Sequence, residues 1–300
     1  MTPLVHPQEV SVPGPAAAEG RSAAPGGAGI RFAGVGRSFA MPDGVVDAVT
    51  GIDLAIAAGE FVALVGPSGC GKTTLLNMVA GLIRPTEGTV TLDGHPVTGP
   101  SREVAYMPAR DALFPWRTAV ENVELGLEVR GVRKSERRAL ALDWLHRVHL
   151  TGFENAQVTQ LSQGMRQRVA IARTLALSPR CVLMDEPFAA LDAQTRLFVQ
   201  QEFLALWERS RATVLFVTHD LTEAISLSDR VVLLGSRPGR LCRDIRVDLP
   251  RPRDVDHLRA DPAWQPLYDE LQDALRAEVP DPRLADASAE LAQRIVAGPK

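Results

Sequence analysis

Eight residues reading GPSGCGKT, namely Gly66, Pro67, Ser68, Gly69, Cys70, Gly71, Lys72 and Thr73, have the types and spacing of a loop built to hold phosphate. Glycines let a backbone wrap an anion with its N–H groups turned inward, and a helix amino terminus behind the loop adds partial positive charge. Lys72 is placed to reach the β- and γ-phosphates of a nucleotide, the Thr73 hydroxyl to ligate Mg²⁺, and Thr74 to continue the cradle. The lysine is informative by its rarity, because the chain has three lysines against thirty arginines. A compact ammonium fits among phosphate oxygens where a planar guanidinium is too bulky. The second chemical run is CVLMDEPF (181–188). Asp185 ends its apolar stretch, placed to hold Mg²⁺ directly or through water, and Glu186 extends past it as the general base that polarises an attacking water.

Both runs need elements that aim them. FVALV (61–65) is the continuous apolar run of a fully buried strand ahead of the loop, and TTLLNMVAGLI opens the helix behind it. CVLMD (181–185) and TVLFVTH (213–219) are further apolar strands, each preceded by a helical stretch. That alternation implies a mainly parallel sheet covered on both faces. Ile52, Leu54 and Ile56 alternate as a half-buried strand, and GTVTLDGHPV predicts a hairpin turning at Asp93-Gly94. From about 119 to 148 the pattern is helical, with Ser135 expected as a cap and Leu140, Trp144, Leu145 and Val148 on one face. Residues 1–28 are rich in Ala, Gly and Pro and read as a disordered tail. DLPRPRD marks a break after Val247. In the extension over 248–300, Trp264, Leu267, Tyr268, Leu271 and Leu275 recur at helical spacing before a loose end.

A chain of 300 residues, 45% hydrophobic and 23% charged, buries a sizeable α/β core. A net charge of −3 argues against a protein whose main business is gripping nucleic acid. Cys70, Cys181 and Cys242 lie far apart without a CxxC pair, which suggests neither a disulfide framework nor a zinc site and fits a reducing cytosol. No apolar run approaches the roughly 18–20 residues of a membrane helix, and the amino terminus lacks the pattern of a secretory signal. Any link to a membrane is expected to pass through another protein.

With LSQGMRQRVAIARTLAL (161–177) between the two chemical runs, the chain resembles the ATP-binding cassette (ABC) ATPases over about residues 30–247. That segment is similar to the family signature, usually LSGGQ, from which Gln163 and Met165 depart; AALD (189–192) resembles the D-loop and VTHD (217–220) the switch-histidine segment. The resemblance implies a P-loop NTPase with a mainly parallel core sheet, an antiparallel β subdomain and a helical signature subdomain (about 110–178), all within 29–247. It implies ATP and Mg²⁺ as cofactors and a head-to-tail pair of cassettes, identical or not, with each ATP held between one P-loop and the other signature. In that arrangement Ser162, Gln163 and the Gly164 N–H face the partner's γ-phosphate, Asp192 communicates across the pair, His219 contacts the γ-phosphate and orients Glu186, and Phe39 stacks on adenine. LFPWRTAVENV, THDLTEAISLSDRVVLLGSRPGRL and LPRPRD are similar to importer cassettes of the nitrate, sulfonate and taurine type. For such a cassette the expected partners are transmembrane permease subunits and, indirectly, a periplasmic or extracellular solute-binding protein, with no nucleic acid; the expected place is the cytoplasmic face of the cell membrane.

Aligned on DALFPW, the family's Q-loop glutamine falls on Ala109. In the family that glutamine contacts Mg²⁺ and the attacking water, and an alanine side chain can do neither. Mg²⁺ readily keeps waters, so nucleotide binding is expected to survive better than placement of the attacking water. Arg110 cannot substitute as an acceptor. Three readings of Ala109 stand: a usable but slow hydrolase, the weaker half of a heterodimer, and an engineered replacement of a native glutamine. Two alternatives for the whole chain are a regulatory nucleotide-binding cassette with little turnover and a soluble ABC ATPase acting on nucleic acid. The last is opposed by the single cassette and the acidic balance. Pro115-Trp116 is a candidate knob for docking a membrane subunit, and the helix terminus is expected to lower the Cys70 thiol pKa and make it sensitive to alkylation.

Overall fold

The computed structural model describes residues 26–278 apart from Asp43, Arg110 and Arg237, so most of the expected amino-terminal tail, the loose end beyond 278 and Arg110 lie outside it. The packed chain reaches back to Ala28, which is fully buried and donates to Thr213 Oγ1 at 3.1 Å, a boundary composition alone does not reveal.

Strands β1 (Ile30–Met41) and β2 (Gly44–Ile56) pair antiparallel, followed by β3 (Phe61–Val65) and α1 (Lys72–Val79). β4 (Glu87–Leu92) and β5 (His95–Pro96) turn at Asp93 and Gly94, with φ of 48° and 78°. Two successive positive φ values suit the right-handed twist of a hairpin, as Asp-Gly predicts. The order β2-β1-β4-β5 makes a four-stranded antiparallel sheet. β6 (Val104–Met107) leads to the helices α2 (Ala119–Val129), α3 (Lys134–Arg147) and α4 (Gln163–Leu175). Then follow β7 (Cys181–Asp185), α5 (Ala193–Ser210), β8 (Thr213–Val217), α6 (Leu221–Leu227), β9 (Arg230–Leu234), β10 (Leu241–Arg246) and α7 (Trp264–Glu278).

The second sheet runs β10-β9-β3-β8-β7-β6, parallel throughout except for β10 at its edge. β3, β7 and β8 are buried along their whole length, as continuous apolar runs require in a sheet covered on both faces. Alternation splits each strand between two cores. Phe61, Ala63 and Val65 join Phe203, Trp207 and Phe216 on one face, while Val62 and Leu64 join Ile30, Phe32 and Leu75 beneath the antiparallel sheet. Each large side chain so buried contributes about 1.5–3 kcal/mol. The chain is thus α/β, with a mainly parallel core, an antiparallel sheet against one face and α2–α4 as a helical unit. Among the described residues no helix is long and apolar enough to cross a membrane.

Ser135 does not cap α3: Arg133 occupies the cap position and no side chain bonds there. Of the expected α3 face, Leu145 and Val148 are buried and Trp144 packs at the edge, but Leu140 is 38% exposed and Ala141 takes the inward place. α7 does pack on the core through Trp264 and Leu271. Arg253, 3% exposed, ties the extension to the domain by donating to the carbonyls of Ile225, Ser228 and Val247. Burial pulls its pKa down to about 10.

Candidate functional site

β3 ends directly in the glycine loop, and two contacts explain its glycines. Gly66 has φ 151°, and a side chain there would run into the Leu234 carbonyl of β9. Gly71 has φ 92° and lies against Val49 and the Ala48 carbonyl of β2, so only a residue without Cβ closes the loop. Gly71 also begins α1 without any side-chain cap, which leaves the leading helix amides to the loop's interior. Lys72 is only 7% exposed; its ammonium donates to Gly66 O at 2.8 Å and Pro67 O at 2.9 Å, inside the curl that the sequence assigns to phosphate.

Thr73, one residue on, bonds through its hydroxyl to both Asp185 oxygens, at 3.0 and 3.2 Å. Residues 112 apart in the chain thus converge as hard oxygen donors, a chemistry that fits Mg²⁺ completed by waters and substrate phosphates. Burial pushes the Asp185 pKa up and the Glu186 charge adds to the effect, while the Thr73 bond opposes it. Glu186 turns off the end of β7 with φ 47°, its N–H held by Val217 O of β8 at 2.9 Å. A non-glycine residue in this left-handed region is a strained conformation of the kind found at functional sites. Its carboxylate lies 3.4 Å from His219 Nδ1, which β8 delivers from the neighbouring strand.

The structure therefore brings Lys72, Thr73, Asp185, Glu186 and His219 to one end of the parallel sheet. Ser162 and Gln163 are exposed at the start of α4, where Ser162 Oγ accepts from Met165 N at 3.3 Å. Gly164 is buried, and a Cβ there would run into the Thr195 methyl of α5. Asp192 caps α5, accepting from Thr195 N at 3.0 Å. Among the described residues no hydrogen bond joins Ser162, Gln163 or Asp192 to the loop Gly66–Thr73. Phe39 lies on β1 opposite Val46, with the Arg37 guanidinium 4.6 Å over its ring.

Cys70 corrects its expectation. Its side chain is fully buried, and burial pushes the thiol pKa up although Lys72 opposes the shift, the reverse of the lowering expected from the helix terminus. Ala109 is exposed. The segment after it is fastened to the signature helix: Asp111 meets Arg166 at 3.1 Å, and Arg173 donates to the carbonyls of Asp111 and Ala112 at 2.7 and 2.8 Å. Asn122 holds the following turn through Phe114 N at 2.8 Å, leaving Trp116 72% exposed with its ring edge-on to Phe114.

Sequence reasoning missed Tyr106. Its hydroxyl, on β6, reaches Asp185 Oδ2 at 3.5 Å, and burial with the Asp185 charge pushes its pKa up to about 12. Only the β6–β7 pairing places it there.

A phosphate loop backed by a metal-ready carboxylate, a strained acid and a histidine on parallel strands defines a P-loop nucleotide hydrolase. The ABC transporter family pattern matches residues 49–189. The chain is 49% identical over 194 residues to the taurine import ATP-binding protein TauB of Yersinia pestis, covering 65% of this chain and 76% of that protein. It is 40% identical over 257 residues to the nitrate import ATP-binding protein NrtD of Synechocystis, covering 84% and 97%. The ATP-binding cassette MJ0796, solved as a dimer in a post-hydrolysis state bound to ADP and Pi, superposes with a TM-score of 0.66 at 33% identity, over 74% of this chain and 100% of that one. The chain belongs to the ABC transporter ATP-binding proteins. It is an ATP-binding cassette, and its chemistry is ATP hydrolysis coupled to transport.

Proposed function

We propose that this cassette powers uptake of a small anionic solute of the nitrate, sulfonate or taurine kind, as one of two cassettes beneath separate permease subunits on the cytoplasmic face of the membrane. An external solute-binding protein would feed the permease. The observation that carries the catalytic part is the convergence of Thr73 on Asp185 beside the Glu186–His219 pair. The solute class rests on similarity to taurine and nitrate import proteins, and the paired arrangement on the dimeric cassette.

In this reading the loop amides and Lys72 hold the β- and γ-phosphates, with the ammonium leaving the Gly66 and Pro67 carbonyls for phosphate oxygens. Thr73 and Asp185 would hold Mg²⁺, which when bound neutralises charge on those oxygens. Glu186 accepts the proton of the attacking water, and His219, 3.4 Å away, fixes the orientation of that carboxylate. Phe39 stacks on the adenine once Arg37 yields its ring face. Ser162, Gln163, the Gly164 amide and Asp192 serve the second cassette's nucleotide; in support, among the described residues no hydrogen bond ties Ser162, Gln163 or Asp192 to this chain's own loop. Trp116 and Pro115 offer the permease a rigid apolar knob.

Ala109 favours a second reading, a weakly hydrolysing cassette paired with a stronger one. MgATP hydrolysis in membranes carrying the transport partner decides between them, with Glu186→Gln and Ala109→Gln alongside. We expect measurable turnover, a loss of about 10²–10⁴-fold with Glu186→Gln, and only a modest change with Ala109→Gln. A chain silent until residue 109 becomes glutamine would assign it to the second reading.

A further inference from the structure

α5 and α6 meet over a buried carboxylate that the chemistry above does not use. Glu223 of α6 is 5% exposed. One of its oxygens accepts from the Thr218 hydroxyl at 2.7 Å and the other from the Gln200 amide at 3.0 Å. The Thr218 hydroxyl in turn accepts from the Asp220 N–H at 3.0 Å, and Asp220 caps α6 through Thr222 N at 2.8 Å. Both chain neighbours of His219 are therefore fixed, directly or through one bond, by Glu223. The imidazole, 65% exposed, takes its position from them.

α5 reaches the same carboxylate from the other side. Arg196 lies 3.8 Å from Glu223 and 3.7 Å from Asp220, and it donates to the Leu191 carbonyl at 2.9 Å. Arg196 and Gln200 are four residues apart and so share one helix face. At its amino end the same helix carries Asp192 as its cap and presses the Thr195 methyl onto Gly164. One rigid element thus touches the signature segment, carries the AALD segment and grips the switch segment.

We infer that α5 is a connecting rod between the outward-facing signature and the switch histidine, and that Glu223 and Arg196 are positioning residues for His219. The inference rests on the reading of Ser162 and Gly164 as donors to a second cassette's nucleotide. Seating of that nucleotide displaces Gly164 against Thr195; a close-packed helix passes the displacement on instead of absorbing it, and Arg196 and Gln200 deliver it to Glu223 and Thr218. Engagement of the neighbouring site thus favours the productive orientation of His219 against Glu186, and its loss leaves a slower site. The link is a physical chain of contacts, and its worth is the coupling it transmits.

Arg196→Met and Glu223→Gln in the full chain test it. Methionine keeps much of the arginine's apolar stem, and glutamine keeps the shape of the buried acid while removing its charge. In the assembled transporter either change is expected to lower kcat on the order of tenfold, as small misplacement of a catalytic group does, with KM for ATP within about twofold and a Hill coefficient that falls toward 1. In the nucleotide-free chain, hydrogen exchange should rise together in residues 217–220 and 189–192. A merely structural role would lower stability or raise KM and leave the Hill coefficient intact. That result, or exchange that rises only beside the substituted residue, overturns the proposal. If the unaltered transporter does not hydrolyse ATP, the functional reading fails instead, and the exchange measurement, which needs no turnover, still decides the role of α5.

Discussion

The two helix amino termini that the sequence assigns to phosphate are built in opposite ways. α1 starts at Gly71 with no side-chain cap, and its own loop curls over it with the Lys72 ammonium held inside at 2.8 and 2.9 Å. α4 starts at Ser162, whose hydroxyl caps the helix through Met165 N, and both Ser162 and Gln163 stand exposed. Orphan amides and partial positive charge are present at both ends. The first is enclosed by the chain that owns it, while the second is open to whatever docks. On the proposed reading, a chain that surrounds one phosphate site and leaves the other as half a surface completes its chemistry with a second cassette.

The largest expected effect breaks or proves that contrast. Glu186→Gln disables the enclosed site, and Ser162→Arg blocks the open one, where loss of a donor to a developing charge costs on the order of 10²–10³-fold. Two chains that each carry one change are then assembled into mixed pairs and assayed for ATP hydrolysis. If sites are shared, one of the two in the mixed pair keeps both halves unaltered, and activity rises well above either pure pair even though the blocked Ser162 end withholds the α5 coupling, worth about tenfold. Absence of recovery would mean that each chain completes its own site and that the exposed Ser162 end serves something else.

The enclosed site was legible because it is written in local strings. GPSGCGKT, the acid pair at 185–186 and His219 each sit at the end of an apolar strand, and adjacent parallel strands bring their ends together. What the sequence hid depends on pairing between distant segments. Tyr106 reaches Asp185 only through the register of β6 on β7, and Glu223 joins Thr218, Gln200 and Arg196 from two helices. Ser135 failed as a cap because Arg133 already starts α3, a one-turn matter that residue preference does not fix. Cys70 failed because a helix terminus and a buried core make opposite demands on a thiol, and here burial wins.

That outcome sharpens the comparison at the enclosed end. With Cys70 fully buried, alkylation in the native chain should be slow with or without MgATP; burial and Glu278 raise the Cys242 thiol pKa as well, but Cys242 is partly exposed and should react first. Mass spectrometry after timed treatment with iodoacetamide reads both sites in one experiment. We expect Cys70 labelling to lag by about 100-fold or more and to follow opening of the domain. Fast labelling that MgATP suppresses would show that the loop opens readily and that the α1 end is less enclosed than its geometry indicates.

The smallest effect lies in the rod between the two ends. Burial raises the Glu223 pKa above its ordinary 4.5, against the opposing Thr218 hydrogen bond and Arg196 charge. The sign follows from linkage: a folded-state pKa above the unfolded one favours the protonated form in the native chain. Its contribution to stability is complete below pH 4.5 and is lost as pH rises through the raised folded value. Glu223→Gln cannot lose a proton there, so its melting temperature relative to the unaltered chain should climb between pH 4.5 and neutrality. The climb should be about 2–4 °C at most, the change that ~1 kcal/mol gives a domain of this size. Thermal unfolding of both chains at three pH values measures it, and other titrating groups cancel in the difference. A difference that stays flat with pH would mean that Thr218, Gln200 and Arg196 compensate the buried charge fully; the rod would then be held by hydrogen bonds whose strength does not depend on the ionisation of its central acid.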